Sequence, residues 1–128
     1  MTSSRRTSGS GGGHWGGGLF INAYDMARFG YLILRDGKWG DRAIVSGEWI
    51  RMARTPGPAN ATYGFANWQL NTGAKPLPHA PPSAVYFEGN GANIIYIDWE
   101  HDIVAVVRWI RTETLDEFVG KLIASIAP

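Results

Sequence analysis

The residues best suited to chemistry are two glycines, Gly89 and Gly91, placed directly after a stretch that predicts a strand. Glycine adopts backbone conformations closed to other residues, so the chain can pass close to a ligand at this point. Backbone N–H groups at a glycine-flanked strand end can stabilise the negative charge that develops on a carbonyl oxygen during acyl transfer. The segment therefore indicates half of an active site, which a nucleophile and a base would have to complete.

Strands are predicted on both sides of these glycines. Tyr86 begins the first strand, Ile94–Asp98 forms the second and Ile103–Val107 the third. The apolar residues of Ile103–Val107 are continuous, which is typical of a strand buried on both faces. Earlier in the chain, Tyr63–Leu70 predicts a further strand, and the proline-rich segment Ala74–Pro82 predicts the connecting loop. We expect an antiparallel sheet of about four strands.

Helices are expected to flank that sheet. A capping box at Asn22 opens a helix that ends at about Arg35, and Ser46 caps a shorter second helix. A second capping box at Thr114 opens a C-terminal helix with a regular amphipathic stripe. The predicted fold class is therefore α+β, with the C-terminal helix on one face of the sheet.

Composition is typical of one modest globular domain. The chain has 128 residues, a hydrophobic content of 45% and a net charge of +1, which exclude disorder throughout and a strongly electrostatic partner. No apolar run reaches the ~20 residues needed to span a bilayer, and no signal peptide is evident. The absence of cysteine excludes disulfides and leaves the cellular compartment undecided. Residues 1–13 are polar and of low complexity, so we expect them to be disordered, with the domain over residues 14–128.

The order of these segments resembles the C-terminal end of the serine β-lactamase-like hydrolases, a family of penicillin-recognising enzymes, esterases and amide hydrolases. In that family an x-x-G triplet beside the active site is followed by a glycine-containing turn and a strand that ends near an acidic residue. Here Phe87–Gly89 occupies the triplet, Asn90–Asn93 the turn and Asp98-Trp99 the acidic end. Upstream, Gly16–Trp39 resembles the family's glycine-rich start and T-x-x-D-L-A-R-F helix, and Tyr63–Trp68 resembles its YGxxWW strand.

The resemblance covers roughly Gly16 to Ile126 and implies roles for individual residues. The backbone N–H of Asn90 corresponds to the family's second oxyanion donor. The parent enzyme would hydrolyse an ester, amide or β-lactam through an acyl-serine intermediate, without a cofactor. For Glu88 we favour a solvent-facing strand carboxylate over a substrate contact. The candidate substrate-binding residues are Phe87, Glu88, Gly89, Gly91 and Trp15. Trp15, which lies beside a glycine run, could form a wall of the cleft.

The nucleophile and base of that family are missing from the sequence. No serine is followed by lysine three residues later, and no tyrosine is followed by asparagine two residues later. We therefore expect the C-terminal part of a hydrolase that is inactive alone. A natural truncation, an error in the gene model and a deliberately shortened protein would look alike.

Other functions remain open. The alternative is a non-enzymatic module that binds a ligand or a protein, and a separately encoded N-terminal half could also complete the site. A bare sheet edge predicts self-association and marginal stability. The three histidines lack metal-ligand spacing, and the scattered basic residues give no support for nucleic-acid binding. Trp68 and Trp109 are predicted core residues, and His101 a solvated loop residue.

Overall fold

The structure is a computed structural model that describes residues 21–65 and 68–126. The predicted disordered segment 1–13 and Trp15 lie outside the described residues. One antiparallel sheet contains, in this order, β3 (Trp68–Leu70), β4 (Val85–Gly89), β5 (Asn93–Asp98) and β6 (Ile103–Val107). A small separate hairpin pairs β1 (Lys38–Trp39) with β2 (Arg42–Ala43). The expected α+β class and four-stranded sheet are confirmed. The α-helices are α1 (Ala23–Leu34), α2 (Gly47–Ala53) and α3 (Leu115–Ile126).

The sheet has an apolar cluster on each face because successive side chains of a strand point to opposite sides. In β5, Ile95 and Ile97 pack in the cluster that contains α1 and α2, whereas Ile94 and Tyr96 pack in the cluster that contains α3. All four side chains are buried. Strand β5 is therefore the centre of the molecule, and its nearly continuous apolar sequence follows from that position.

Strand β6 has the same two-faced packing but less burial. Val104 and Val106 contact the α1 cluster, and Ile103, Ala105 and Val107 contact the α3 cluster. All five residues are only half-buried. Among the described strands β6 pairs with β5 alone. The prediction that both faces of β6 are covered is confirmed. The strand is less buried than predicted, because its outer edge pairs with no described strand.

Helix α1 begins and ends as the sequence predicts. The Asn22 side chain accepts a hydrogen bond from the Asp25 N–H (2.8 Å), which satisfies one of the free donors of the first turn. At the other end, the N–H groups of Asp36 and Gly37 bond to carbonyls of the last turn, with Asp36 at a φ of +52°. Ser46 caps α2 in the predicted way, accepting from the Trp49 N–H (3.1 Å).

Two predicted details of secondary structure were wrong. The strand expected at Tyr63–Leu70 covers only β3, because the chain folds back on itself and the Gly64 N–H bonds to the Trp68 carbonyl. Thr114 does not cap α3 as a side-chain acceptor. It lies in a 3-10 turn, and its hydroxyl donates to the Arg111 carbonyl (2.8 Å).

One buried side chain organises the proline-rich loop between β3 and β4. Asn71 is fully buried, and its Nδ2 group donates to the carbonyls of Leu77, Ala80 and Pro81 at 3.0–3.1 Å. Its Oδ1 accepts from the Leu77 N–H at 2.8 Å. These bonds satisfy loop backbone groups that would otherwise be buried without partners.

Candidate functional site

The two glycines lie in a tight turn between β4 and β5. Gly89 pairs with Asn93, so three residues, 90–92, connect the two strands. Gly91 has a φ of +80° and Ala92 a φ of +52°, and both values are in the left-handed region. The position predicted from the sequence, a strand end followed by a glycine turn, is therefore what the structure contains.

Only one of the two glycine positions excludes a side chain. A Cβ atom on Gly89 would lie no closer than 3.8 Å to its neighbours, and the φ of Gly89 is not positive. A Cβ atom on Gly91 would overlap the ring of Trp109 as well as adopt a disfavoured φ. The conformational requirement assigned to both glycines belongs to Gly91.

Asn90 occupies the exposed tip of this turn. Its carbonyl accepts a hydrogen bond from the Asn93 Nδ2 (2.7 Å), and the Asn93 Oδ1 accepts from the Arg108 Nε (3.3 Å). Within the described part of the chain, the Asn90 N–H donates to no other residue. The turn therefore holds this donor outside the sheet ladder, in a residue that is exposed.

Trp109 covers the turn instead of entering the core. Its side chain is 70% exposed and its φ is +59°, so the prediction of a core tryptophan was wrong. Strand β6 ends at Val107, and the chain then turns so that the indole ring lies against Gly91. Trp68, by contrast, is only 2% exposed and confirms its prediction.

Phe87 and Glu88 point to opposite faces of β4 and do not form one surface with the turn. Phe87 packs edge-on against Trp68 and Phe29, with ring centroids 4.8 and 5.3 Å apart. Glu88 accepts a hydrogen bond from the Thr112 hydroxyl (3.1 Å) on the other face. Glu88 is half-buried, and its carboxylate is held by this exposed bond, so its favoured role as a solvent-facing strand carboxylate stays a prediction.

Two cavities lie elsewhere on the molecule. The aromatic groove has a volume of about 440 Å³ and is almost entirely apolar. The Arg54 cavity has a volume of about 270 Å³, and one basic and two hydroxyl-bearing residues are among those that line it. Neither contains a residue of the 89–93 turn. The aromatic groove is lined by Phe29, Leu32, Ile33, Val45, Ser46, Trp49 and Trp68. The Arg54 cavity is lined by Arg54, Pro56, Leu70, Thr72, Gly73, Pro82, Ser83, Ala84 and Val85.

A buried polar cluster at the β5–β6 turn was not expected from the sequence. The fully buried Asp98 carboxylate accepts from the Tyr96 hydroxyl (2.9 Å), from the Glu100 and His101 N–H groups and from the His101 Nδ1 (2.7 Å). Burial, together with the bond to Asp98, raises the pKa of the Tyr96 phenol far above its ordinary value. His101 is thus a fixed, partly buried residue and not a solvated one. The signal available in sequence was the short Asp98-x-x-His101 spacing.

Comparison with known proteins leaves the origin of this site open, because neither a family model nor a curated protein matches the chain. No group of three or more histidine or acidic side chains in residues 21–65 and 68–126 is arranged to hold a metal ion. No helix in the same residues is long and apolar enough to cross a membrane.

Proposed function

We propose that this chain forms the C-terminal wall of the active site of a β-lactamase-like acyl-serine hydrolase. The observation that carries the proposal is the Asn90 N–H, a donor with no described acceptor, in an exposed residue at the tip of a glycine turn. The substrate class would be an ester, an amide or a β-lactam. This rests on the resemblance of the x-x-G triplet, the turn and the acidic strand end to that family.

The Asn90 N–H would act as one of two oxyanion donors. Such a donor stabilises the tetrahedral intermediate, and its removal typically costs ~3 kcal/mol of transition-state stabilisation. Because the donor is a backbone group, the side chain of residue 90 contributes little. Nucleophile and base must come from residues outside this chain, since the sequence has neither S-x-x-K nor Y-x-N.

The architecture is compatible with this role. The sheet has α3 on one face and α1 on the other, and the outer edge of β6 pairs with no described strand. The resemblance implies that an N-terminal part of the fold adds further strands and helices to this sheet. An open β6 edge is where an additional strand could join.

The first experiment treats the isolated chain with a fluorophosphonate probe and with a labelled penicillin. We expect no covalent labelling, because the nucleophile is absent. Labelling of any residue of this chain would contradict the proposal that the nucleophile lies outside it. Sequencing the DNA immediately upstream gives the second result, since the proposal expects S-x-x-K and Y-x-N to be encoded there.

If such a segment is found, co-expression with this chain should restore esterase activity. The Asn90→Ala variant should keep most of that activity, because it leaves the N–H in place. Gly91→Ala should lower kcat by at least tenfold, because it distorts the turn that positions the donor. Equal activity of Gly91→Ala and the unsubstituted complex would contradict the role of the turn.

A second candidate function is a non-enzymatic module that binds an apolar ligand or a protein. The aromatic groove favours it, since the side chains of Phe29 and Trp49 are 42% and 40% exposed at its rim. An exposed groove with aromatic walls suits an apolar ligand. Restored hydrolysis on complementation would favour the enzyme, whereas unchanged inactivity with saturable binding at the groove would favour the module.

A further inference from the structure

The Arg54 guanidinium is half-buried against an aromatic ring. Arg54 follows α2 directly, and its Cζ atom lies 3.5 Å from the centre of the Trp99 ring. The stacking stabilises the cation and holds the planar group in one orientation. Burial nevertheless removes part of its hydration, and a buried charge is costly unless an anion accompanies it.

No acidic side chain of the protein pairs with this cation. All eleven acidic side chains lie within the described residues, and none is within 4 Å of Arg54. Burial lowers the pKa of Arg54, and only a longer-range attraction from Asp36 opposes this effect. By contrast, Arg28 and Arg35 both have carboxylate partners.

The cavity beside Arg54 offers hydroxyl groups and apolar walls. Thr72 and Ser83 line it, and the hydroxyl of neither is hydrogen-bonded to another described residue. Leu70, Val85 and two prolines supply the apolar surface.

We propose that the Arg54 cavity binds a small organic carboxylate. A guanidinium with free donors matches the two oxygens of a carboxylate in a bidentate pair, and the two hydroxyls can donate to the same group. The apolar walls favour a ligand with a short hydrocarbon body over inorganic phosphate. The volume of about 270 Å³ lies just below the range of cavities that hold drug-sized ligands, so it suits a small molecule.

This site is separate from the turn discussed above. Val85 lines the cavity at the start of β4, and Gly89 ends the same strand, four residues or about 13 Å away. The inference does not depend on the proposed hydrolase function.

Sodium butyrate is the probe for the first experiment, with butyramide as its neutral analogue and inorganic phosphate as the competing anion. Titration of the full chain at neutral pH, followed by amide NMR, should show saturable shifts at Gly73, Ala84 and Val85. We expect at least tenfold weaker binding of phosphate and no saturable binding of butyramide. Absence of saturable butyrate binding, or equal binding of butyramide, would overturn the proposal. Equal binding of phosphate would overturn the assignment to a carboxylate.

Variants test the role of the guanidinium. Arg54→Gln should weaken butyrate binding at least tenfold, and Arg51→Gln, which removes an exposed charge from the same helix, should change it less than twofold. Ser83→Ala, at an exposed position that leaves the Trp99 stack intact, should weaken it about threefold. If Arg54→Gln fails to fold, the Ser83→Ala result and the NMR map decide. Equal losses for Arg54→Gln and Arg51→Gln, or unchanged binding in Ser83→Ala, would contradict the site.

Discussion

Strands β5 and β6 have similar apolar sequences but different burial. Ile94–Ile97 of β5 are buried, whereas every residue of β6 is only half-buried. Both strands contact α1 on one face and α3 on the other. The difference lies in the edges, because β5 has a strand on each side and β6 has one described neighbour. Continuous apolar sequence therefore indicates two covered faces and says nothing about the edges.

The largest expected effect tests this difference directly with matched substitutions. Ile94→Ala should lower the free energy of unfolding by about 4 kcal/mol, because it removes a fully buried side chain and leaves a cavity. Ile103→Ala, in the half-buried strand on the same face, should cost at most about half of that. Urea denaturation of both variants gives the comparison. Equal losses would show that β6 is as buried in solution as β5.

The turn that leads into β5 should be the next most sensitive point. Gly91→Ala should cost about 2 kcal/mol, because it combines a disfavoured φ with displacement of Trp109. Gly89→Ala is the control and should change stability by less than about 0.5 kcal/mol, since its Cβ fits. The same denaturation measurement applies. If Gly89→Ala lost more stability than Gly91→Ala, the steric requirement would lie at Gly89 and our assignment to Gly91 would be wrong.

Hydrogen exchange tests whether the β6 edge pairs with a second molecule. Outward-facing amides of β6 should exchange quickly at low protein concentration and become protected as the concentration rises. The amides of β5 should not depend on concentration. Sedimentation should show a parallel increase in size. A compact monomer with unchanged β6 exchange at every concentration would rule out association through this edge.

The smallest expected effect concerns the ion pair beside the β5–β6 turn. Arg35 donates two hydrogen bonds to Asp102 (2.5 and 3.0 Å), which lower the pKa of that carboxyl below its ordinary value of 3.8. A lowered folded-state pKa contributes stability above the ordinary value, and this contribution is lost as the pH falls through the lowered pKa. Both side chains are largely exposed, so the contribution is small.

The Asp102→Asn variant isolates this contribution, because asparagine also tolerates the φ of +56° at this position. The difference in urea midpoint between the two proteins should be present at about pH 6 and shrink toward about pH 3. High salt should reduce it as well. A difference that does not change with pH would mean that the substitution acts through the turn conformation instead of charge.

Much of the fold could be predicted from local patterns. The caps at Asn22 and Ser46 depend on residues three positions apart, and both formed as expected. The failures involve partners distant in sequence. The sequence predicts Trp109 on a strand in the core, but the chain leaves the sheet after Val107 and the ring packs on Gly91.

The site could be predicted only as a position along the chain. The turn at Gly91 follows from two nearby glycines and is present where expected. The stacking of Arg54 on Trp99 joins residues 45 positions apart, and no spacing rule could indicate it. The catalytic role of the turn and the binding role of the Arg54 cavity stay predictions, because chemistry depends on groups that local sequence does not specify.

The Asn71 amide has a consequence for the chemical ageing of the protein. Deamidation would replace the nitrogen that donates to three loop carbonyls with a negatively charged oxygen facing the same carbonyls. Because the loop continues directly into Pro82 and Ser83, such a change would loosen one wall of the Arg54 cavity. Full burial protects the amide while the loop is closed. The rate at which aspartate appears at position 71 would therefore measure how often that wall opens.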